Sequence, residues 1–153
     1  MPVFSHSWKA PTGGDDPVQL SQRGPSLNVE IHLPPLVSTL AAQNGQPLPA
    51  PRAGIGLIDT GATFTAVDEG VLVSLGLRPV NVIQILTPSG GDTQGVYPCQ
   101  ISFPGTPILG SIPFNAVGSR LASFGVIALI GRDLPKHFLM VYNGVEGSWT
   151  LSY

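Results

Sequence analysis

Glycine and proline occur every few residues along this chain, and their frequency limits its possible folds more than any other feature. Of the 153 residues, 19 are glycine and 16 are proline, and they are scattered without a period. The missing period excludes collagen, and the abundance of Val, Ile and Leu argues against general disorder. Glycine and proline are the commonest turn residues. The sequence therefore predicts a mostly β fold, in which many short strands are joined by turns.

The length and charge of the chain exclude several kinds of protein. The length suits one domain with a modest core. Only 10% of the residues are charged and the net charge is −2, which gives no electrostatic reason to expect nucleic acid or an anionic membrane as a partner. Cys99 is the single cysteine, so an intrachain disulfide is impossible. No signal peptide or membrane span is recognisable, and a cytoplasmic setting is expected.

The residue pattern divides the chain into an arm and a domain. Residues 1–24 are polar and lack periodicity, which predicts a flexible N-terminal arm, and residues 25–153 are predicted to form the domain. Alternation or apolar runs predict strands, whereas the Ala/Gln/Pro-rich stretch 38–52 is predicted as a loop. A short helix is expected after residue 65, capped by Thr65 or Asp68 and ended by Gly76. A second brief helix is expected to start at residues 132–133. The predicted strands are 28–33, 53–58, 82–87, 93–103, 112–117, 125–130, 138–142 and 148–153.

Two of these strands, 82–87 and 93–103, predict a hairpin with a glycine-bearing tip. The tip has the sequence Pro-Ser-Gly-Gly-Asp at 88–92, which is strong turn chemistry. Gly90 and Gly91 lower the cost of rearranging the backbone there.

Asp59 is the one carboxylate that the sequence places at the end of an apolar strand. The other acidic residues fall in the arm, in turns, on a polar strand face or in the first turn of a predicted helix. Asp133 follows Arg132 and is expected to cap a helix or to form a salt bridge. A carboxylate in the place of Asp59 is costly to desolvate unless backbone N–H groups or a partner receive it. The plain alternative is an aspartate that caps a turn through its own backbone.

Other catalytic constellations are weak in this sequence. His6, His32 and His137 show no metal-ligand spacing, and Cys99 lies in a predicted strand without an evident activating base. The sequence contains no Gly-x-Ser-x-Gly elbow and no phosphate-binding glycine loop. Neither a metal nor an organic cofactor is expected.

Two motifs together resemble the retropepsin-like aspartic proteases, in particular bacterial-type domains. The first is Leu-Ile-Asp-Thr-Gly-Ala-Thr at 57–63, which is similar to the active-site loop of aspartic proteases. The second is Ala-Leu-Ile-Gly-Arg-Asp at 128–133, which resembles the segment that lies beneath that loop in retropepsins. The hairpin at 82–103 occupies the place of the family's flap, and the resemblance covers residues 27–153.

The resemblance implies a closed β-barrel half-domain that acts as a symmetric homodimer. Asp59 would be the catalytic residue, and Thr60 and Gly61 would support the active-site loop. Residues implied to bind a peptide or protein substrate are Ala62, Thr63, Gly90, Gly91, Leu129 and Ile130. Because the chain has one Asp-Thr-Gly motif and the chemistry needs two carboxylates, a second chain would supply the other Asp59. The last strand, 148–153, would lie at the dimer interface.

The sequence also departs from the viral pattern. Retroviral enzymes commonly place an aspartate four residues after the catalytic one, paired with the arginine of the second motif. Here that position is Thr63, so Arg132 needs another partner or pairs with Asp133. Two alternatives remain open: a retropepsin-like module that dimerises or binds peptides without efficient proteolysis, and a phosphate-binding turn of an actin-like ATPase, which would need far more chain.

Overall fold

A computed structural model describes residues 2–87 and 90–152 of the chain. Within these ranges the chain forms ten β-strands, three short α-helices and two 3₁₀ turns. The strands are β1 (Val3–Ser7), β2 (Ser26–His32), β3 (Arg52–Ile58), β4 (Ala66–Asp68), β5 (Asn81–Thr87), β6 (Gly90–Ser102), β7 (Ser111–Ser119), β8 (Ala128–Ile130), β9 (Leu139–Asn143) and β10 (Ser148–Ser152). The helices are α1 (Pro17–Arg23), α2 (Pro35–Gln43) and α3 (Glu69–Ser74), and the 3₁₀ turns are Ala122–Phe124 and Pro135–His137. The predicted mostly β fold is confirmed.

Six of the strands close into a barrel. The strand order is β2-β3-β8-β4-β7-β6, and β2 pairs with β6 as well as with β3, which closes the ring. The β3–β8 and β4–β7 pairs are parallel, and the other pairs of the ring are antiparallel. The closed β-barrel expected from the two motifs is therefore the architecture of the chain. Its core follows strand alternation, as in β2, where Leu27, Val29 and Ile31 are all buried.

The first half of β6 leaves the barrel and pairs with β5 in a hairpin. Residues 90–96 of β6 pair with β5, whereas residues 96–102 pair with β7. The predicted hairpin is confirmed, with Gly90 and Gly91 opposite Thr87 and Leu86. Its predicted tip residues 88 and 89 lie outside the described residues.

The N-terminal segment differs from the loose arm that its composition predicted. β1 pairs antiparallel with β10, and α1 is capped by Asp16, whose side chain accepts hydrogen bonds from the backbone N–H groups of Val18 and Gln19. Leu20 on α1 is fully buried in the core. A helix of seven residues with one buried side chain leaves little periodicity for a sequence pattern to reveal, yet that side chain is enough to fix the helix against the barrel.

A second sheet of three strands has the order β1-β10-β9. Trp149 and Leu151 of β10 are buried, and Phe4 of β1 contacts the Trp149 ring edge-on at 5.4 Å between centroids. Both backbone edges of β10 are therefore occupied within the chain. The expected dimer contact through the last strand would have to use the face of this sheet or the outer edges of β1 and β9.

The helix predicted after residue 65 is present as α3, whereas the loop predicted at 38–52 is partly helical. α3 is capped by Asp68, whose side chain accepts from the N–H groups of Gly70 and Val71, and the chain turns away at Gly76 with a φ of +76°. The stretch 38–52, predicted as a loop, begins inside α2, because Pro35 fits the first helical turn as well as it ends a strand. No helix in the described part of the chain is long and apolar enough to cross a bilayer.

Candidate active site

Asp59 is the first residue after β3, and its carboxylate is held by its own loop. Its backbone N–H donates to the carbonyl of Ile130 on the parallel strand β8 at 3.0 Å. Its Oδ1 accepts from the N–H of Gly61 at 2.9 Å, and its carbonyl accepts from the N–H of Ala62 at 3.1 Å. Among the described residues, no cation forms an ion pair with this carboxylate. Asp59 is half-buried, so its other oxygen remains available to a water or a ligand.

Arg132 clamps this loop from outside the barrel. Its Nη1 donates to the carbonyl of Thr60 at 2.7 Å and to that of Gly61 at 3.1 Å, and its Nη2 donates to the hydroxyl of Thr63 at 3.0 Å. Its backbone N–H donates to the carbonyl of Ala62 at 3.0 Å. Arg132 thus binds the Thr63 hydroxyl and two carbonyls of the loop in place of the aspartate that retroviral enzymes have at this position. In the described part of the chain it forms no ion pair with Asp133.

Thr65 joins the two motifs from inside, a role that the two motifs by themselves do not predict. Its side chain is fully buried; its Oγ1 donates to Asp133 Oδ1 at 2.7 Å and accepts from the N–H of Gly131 at 3.1 Å. Of the two predicted caps of α3, Asp68 has that role and Thr65 does not. Thr65 directly precedes β4 and stands between Phe64 and Ala66, and a hydroxyl between apolar neighbours was the available signal, since buried polar groups need hydrogen-bond partners.

Gly131 allows the second motif to pass directly beneath the first. A Cβ at this position would lie 2.4 Å from the backbone carbon and oxygen of Phe64 and 2.9 Å from the N of Thr65. A Cβ atom does not approach non-bonded atoms this closely, so only glycine permits the two backbones to lie at this distance. The two motifs, although far apart in the sequence, therefore pack directly against each other.

Leu129 and Ile130 were both expected to bind substrate, and the structure separates them. Leu129 is half-buried and, with Leu57 of β3, lines an open groove of about 980 Å³. Ile130 is only 2% exposed and faces the barrel core, because successive residues of a strand point to opposite sides. The expectation that its side chain contacts substrate is wrong for this chain, whereas its carbonyl supports Asp59.

The remaining residues of the predicted site lie in two places. Thr60, Gly61 and Thr63 are exposed on the Asp59 loop, and Ala62 there is half-buried. Gly90 and Gly91 are exposed at the start of β6, on the hairpin. No group of His, Cys, Asp or Glu suited to a metal ion occurs among residues 2–87 and 90–152.

The chain matches no protein-family model, and it matches no curated protein. Among solved structures it is similar to the solution structure of simian foamy virus (mac) protease. The two share 20% sequence identity, the likeness covers 73% of this chain and 92% of that chain, and the TM-score is 0.45. The match concerns the fold.

The Asp59 loop offers a single carboxylate for acid–base chemistry. One accessible carboxylate with no cation beside it can accept a proton from water, but it cannot at the same time donate one to a carbonyl oxygen. In the described part of the chain no second carboxylate forms a hydrogen bond with Asp59. A complete acid–base pair requires a carboxylate from elsewhere.

Proposed function

We propose that this chain is one half of an aspartic endopeptidase, in which Asp59 residues from two identical chains share one site. The observation that supports this best is the packing of the Asp59 loop on the Gly131–Arg132 segment. Eight hydrogen bonds fix the loop that begins with the accessible carboxylate of Asp59. A structural turn needs no such scaffold, whereas catalysis needs a preorganised carboxylate.

The proposed reaction follows from bringing two such carboxylates together. At a separation of about 3 Å and an effective dielectric of 20, two negative charges repel by about 5–6 kcal/mol, so the pair retains one proton, as is known for aspartic proteases. The ionised Asp59 takes a proton from a water molecule while the oxygen of that water attacks the scissile carbonyl carbon. The protonated Asp59 of the second chain gives its proton to the carbonyl oxygen, which forms a tetrahedral diol. Proton transfer to the amide nitrogen then breaks the C–N bond.

Replacement of Asp59 by asparagine tests this proposal. Asp59→Asn is nearly isosteric and should lower the kcat/KM for a pool of leucine- and phenylalanine-containing peptides by at least about a thousandfold, with little change in thermal stability. The matched control is Asp15→Asn, because Asp15 is an exposed carboxylate paired with Lys9 far along the chain from the loop. The control should keep full activity, and wild-type turnover should be inhibited by a statine-containing transition-state analogue.

Two outcomes would contradict the proposal. Full activity of Asp59→Asn would show that the carboxylate is not the catalytic group. Peptide binding without any hydrolysis by the wild-type protein would favour the alternative module that binds peptides or dimerises without proteolysis.

A further inference from the structure

The open groove beside the Asp59 loop has an unusual charge distribution. Its walls are the outer surfaces of β2, β3 and β8, the 3₁₀ turn Ala122–Phe124 with the residues after it, and the N-terminal segment. Among the described residues, the lining is mostly apolar and contains no aspartate or glutamate. Arg23 is the one arginine or lysine that the described part of the chain contributes to it.

The groove reaches the end of β3, close to the Asp59 loop in the chain. Leu57 lines the groove and lies two residues before Asp59. Leu129, its partner in the β3–β8 register, lines the groove beside it. A peptide that places a scissile bond at Asp59 would therefore extend its neighbouring residues into this groove.

The end of α1 packs tightly against β3, the strand that leads to Asp59. Arg23 is the last residue of α1, and a Cβ at the following Gly24 would lie 2.6 Å from Leu57 Cδ1. The carbonyl of Pro25 accepts a hydrogen bond from the N–H of Ile58 at 2.9 Å. These contacts hold the backbone after Arg23 against Leu57 and Ile58, the two residues that precede Asp59.

The Arg23 side chain is held in place by an aromatic ring and has no acidic partner. Its guanidinium carbon lies 5.0 Å from the centroid of the Trp8 ring, and Trp8 Nε1 donates to the carbonyl of Gly24 at 3.3 Å. No carboxylate within residues 2–87 and 90–152 forms an ion pair with Arg23. Stacking covers the face of a guanidinium and leaves its N–H edge free for a planar acceptor such as a carboxylate.

We propose that Arg23 is a specificity-determining residue of the groove, which binds the carboxylate of an acidic side chain in an otherwise apolar peptide. The proposal rests on the proposed function only in taking the occupant to be a peptide. Apolar side chains of the peptide would cover Leu57 and Leu129, and its Asp or Glu would pair with the guanidinium at the rim. An ordinary solvated arginine would show no such preference, so the two interpretations differ in a measurable way.

The test uses matched peptide sets and the full chain. One set consists of short peptides of leucine, phenylalanine and alanine in which a single Glu occupies each position in turn, and the other has Gln in its place. At about pH 6.5, where an ordinary glutamate is ionised, the best Glu peptide should have a kcat/KM about three- to tenfold above that of its Gln counterpart. The same ratio should appear in dissociation constants measured with Asp59→Asn protein, and it should shrink at high salt.

The variants assign the preference to one side chain. Arg23→Gln should bring the Glu/Gln ratio close to one, and Arg23→Glu should transfer the preference to peptides that carry Lys. Arg78→Gln is the matched control, because Arg78 is exposed and lies outside the groove. It should keep the wild-type ratio.

Each outcome has one consequence. Equal affinity of the wild-type protein for both sets, or a ratio that survives in Arg23→Gln, would overturn the proposal. Loss of the ratio in Arg78→Gln would also overturn it, since the effect would then not belong to Arg23. Preferential binding of Glu peptides without cleavage of any peptide would reject the proteolytic function and leave the Arg23 site supported.

Discussion

At the scale of single residues, Gly131 and Thr65 show how closely the two motifs depend on each other. Gly131 lets the backbones touch, and the buried Thr65 hydroxyl connects its N–H with the carboxylate of Asp133. Asp68 has a comparable structural role, because its second oxygen accepts from the N–H groups of Leu121 and Ala122. Both oxygens of Asp68 accept hydrogen bonds, and Oδ1 of Asp133 accepts from Thr65 and from the N–H of Leu134. Both carboxylates hold separate segments together, whereas Asp59 Oδ1 accepts only from its own loop.

Gly131→Ala should therefore destabilise the fold and disturb the Asp59 loop. The new methyl group would collide with the backbone of Phe64, which cannot move without displacing the strand that follows it. We expect a loss of about 3 kcal/mol in the free energy of unfolding, measured by urea denaturation. Gly14→Ala is the control, because a Cβ at Gly14 meets nothing within 4 Å. Equal stability of both variants would show that the two segments are not in contact.

At the scale of elements, closure of the barrel and attachment of the N-terminal segment determine what surrounds Asp59. β3 and β8 run parallel and together end at the Asp59 loop and at Gly131. The N-terminal segment adds β1 to the second sheet and places the end of α1 against β3. It thereby forms one wall of the groove and is part of the domain's packing.

Leu20→Ala should show that α1 is an integral part of the fold. Leu20 is fully buried, so truncation should leave a cavity and lower the free energy of unfolding by about 2–5 kcal/mol. Val18→Ala on the same helix should change it by less than about 0.5 kcal/mol, because Val18 is 59% exposed. Denaturant unfolding of both variants provides the comparison. A loose arm would make both substitutions neutral.

At the scale of the whole molecule, the proposed site is incomplete in one chain, so activity should depend on assembly. Specific activity per chain should fall on dilution below the dimer dissociation constant. Mixing wild-type protein with an equal amount of Asp59→Asn should lower the activity per wild-type chain to about half, as random exchange of subunits requires. Sedimentation measures the oligomeric state in parallel. Undiminished activity in a protein that sediments as a monomer would contradict the shared site.

The interior of the barrel also predicts how stability changes at alkaline pH. Burial raises the pKa of Cys99 from 9.0 to about 12, and burial together with the hydrogen bond to Glu69 raises the pKa of Tyr97. Because the unfolded chain releases these protons at lower pH than the folded chain, the contribution of the two groups to stability should be constant below about pH 9, and stability should fall as the pH rises from there toward 12.

Urea midpoints measured across this range test the alkaline prediction. Each group should contribute a slope of up to about 1.4 kcal/mol per pH unit. Cys99→Ala should make the decline shallower, since it removes one of the two groups. A decline that is identical in this variant would assign the effect to other residues.

Much of this arrangement was predictable because local patterns express it directly. Alternation in β2, the hairpin pairing of β5 with β6 and Asp68 as one of the two caps predicted for α3 are properties of neighbouring residues, and these were confirmed. Asp59 emerged by elimination among few carboxylates, and its placement at the end of an apolar strand is also confirmed. Its catalytic role stays a prediction.

Only the tertiary structure decided the contacts between segments that are distant in the chain. The sequence determined which residues could form strands, but not that β2 pairs with β6 to close the barrel, or that β10 has both edges occupied. Nor did it show that Ile130 faces the core while Leu129 faces the groove, or that Arg23 stacks on Trp8 beside Leu57. Strand periodicity defines two faces without saying which one is buried, and pairing between distant segments depends on packing that no short stretch of sequence encodes.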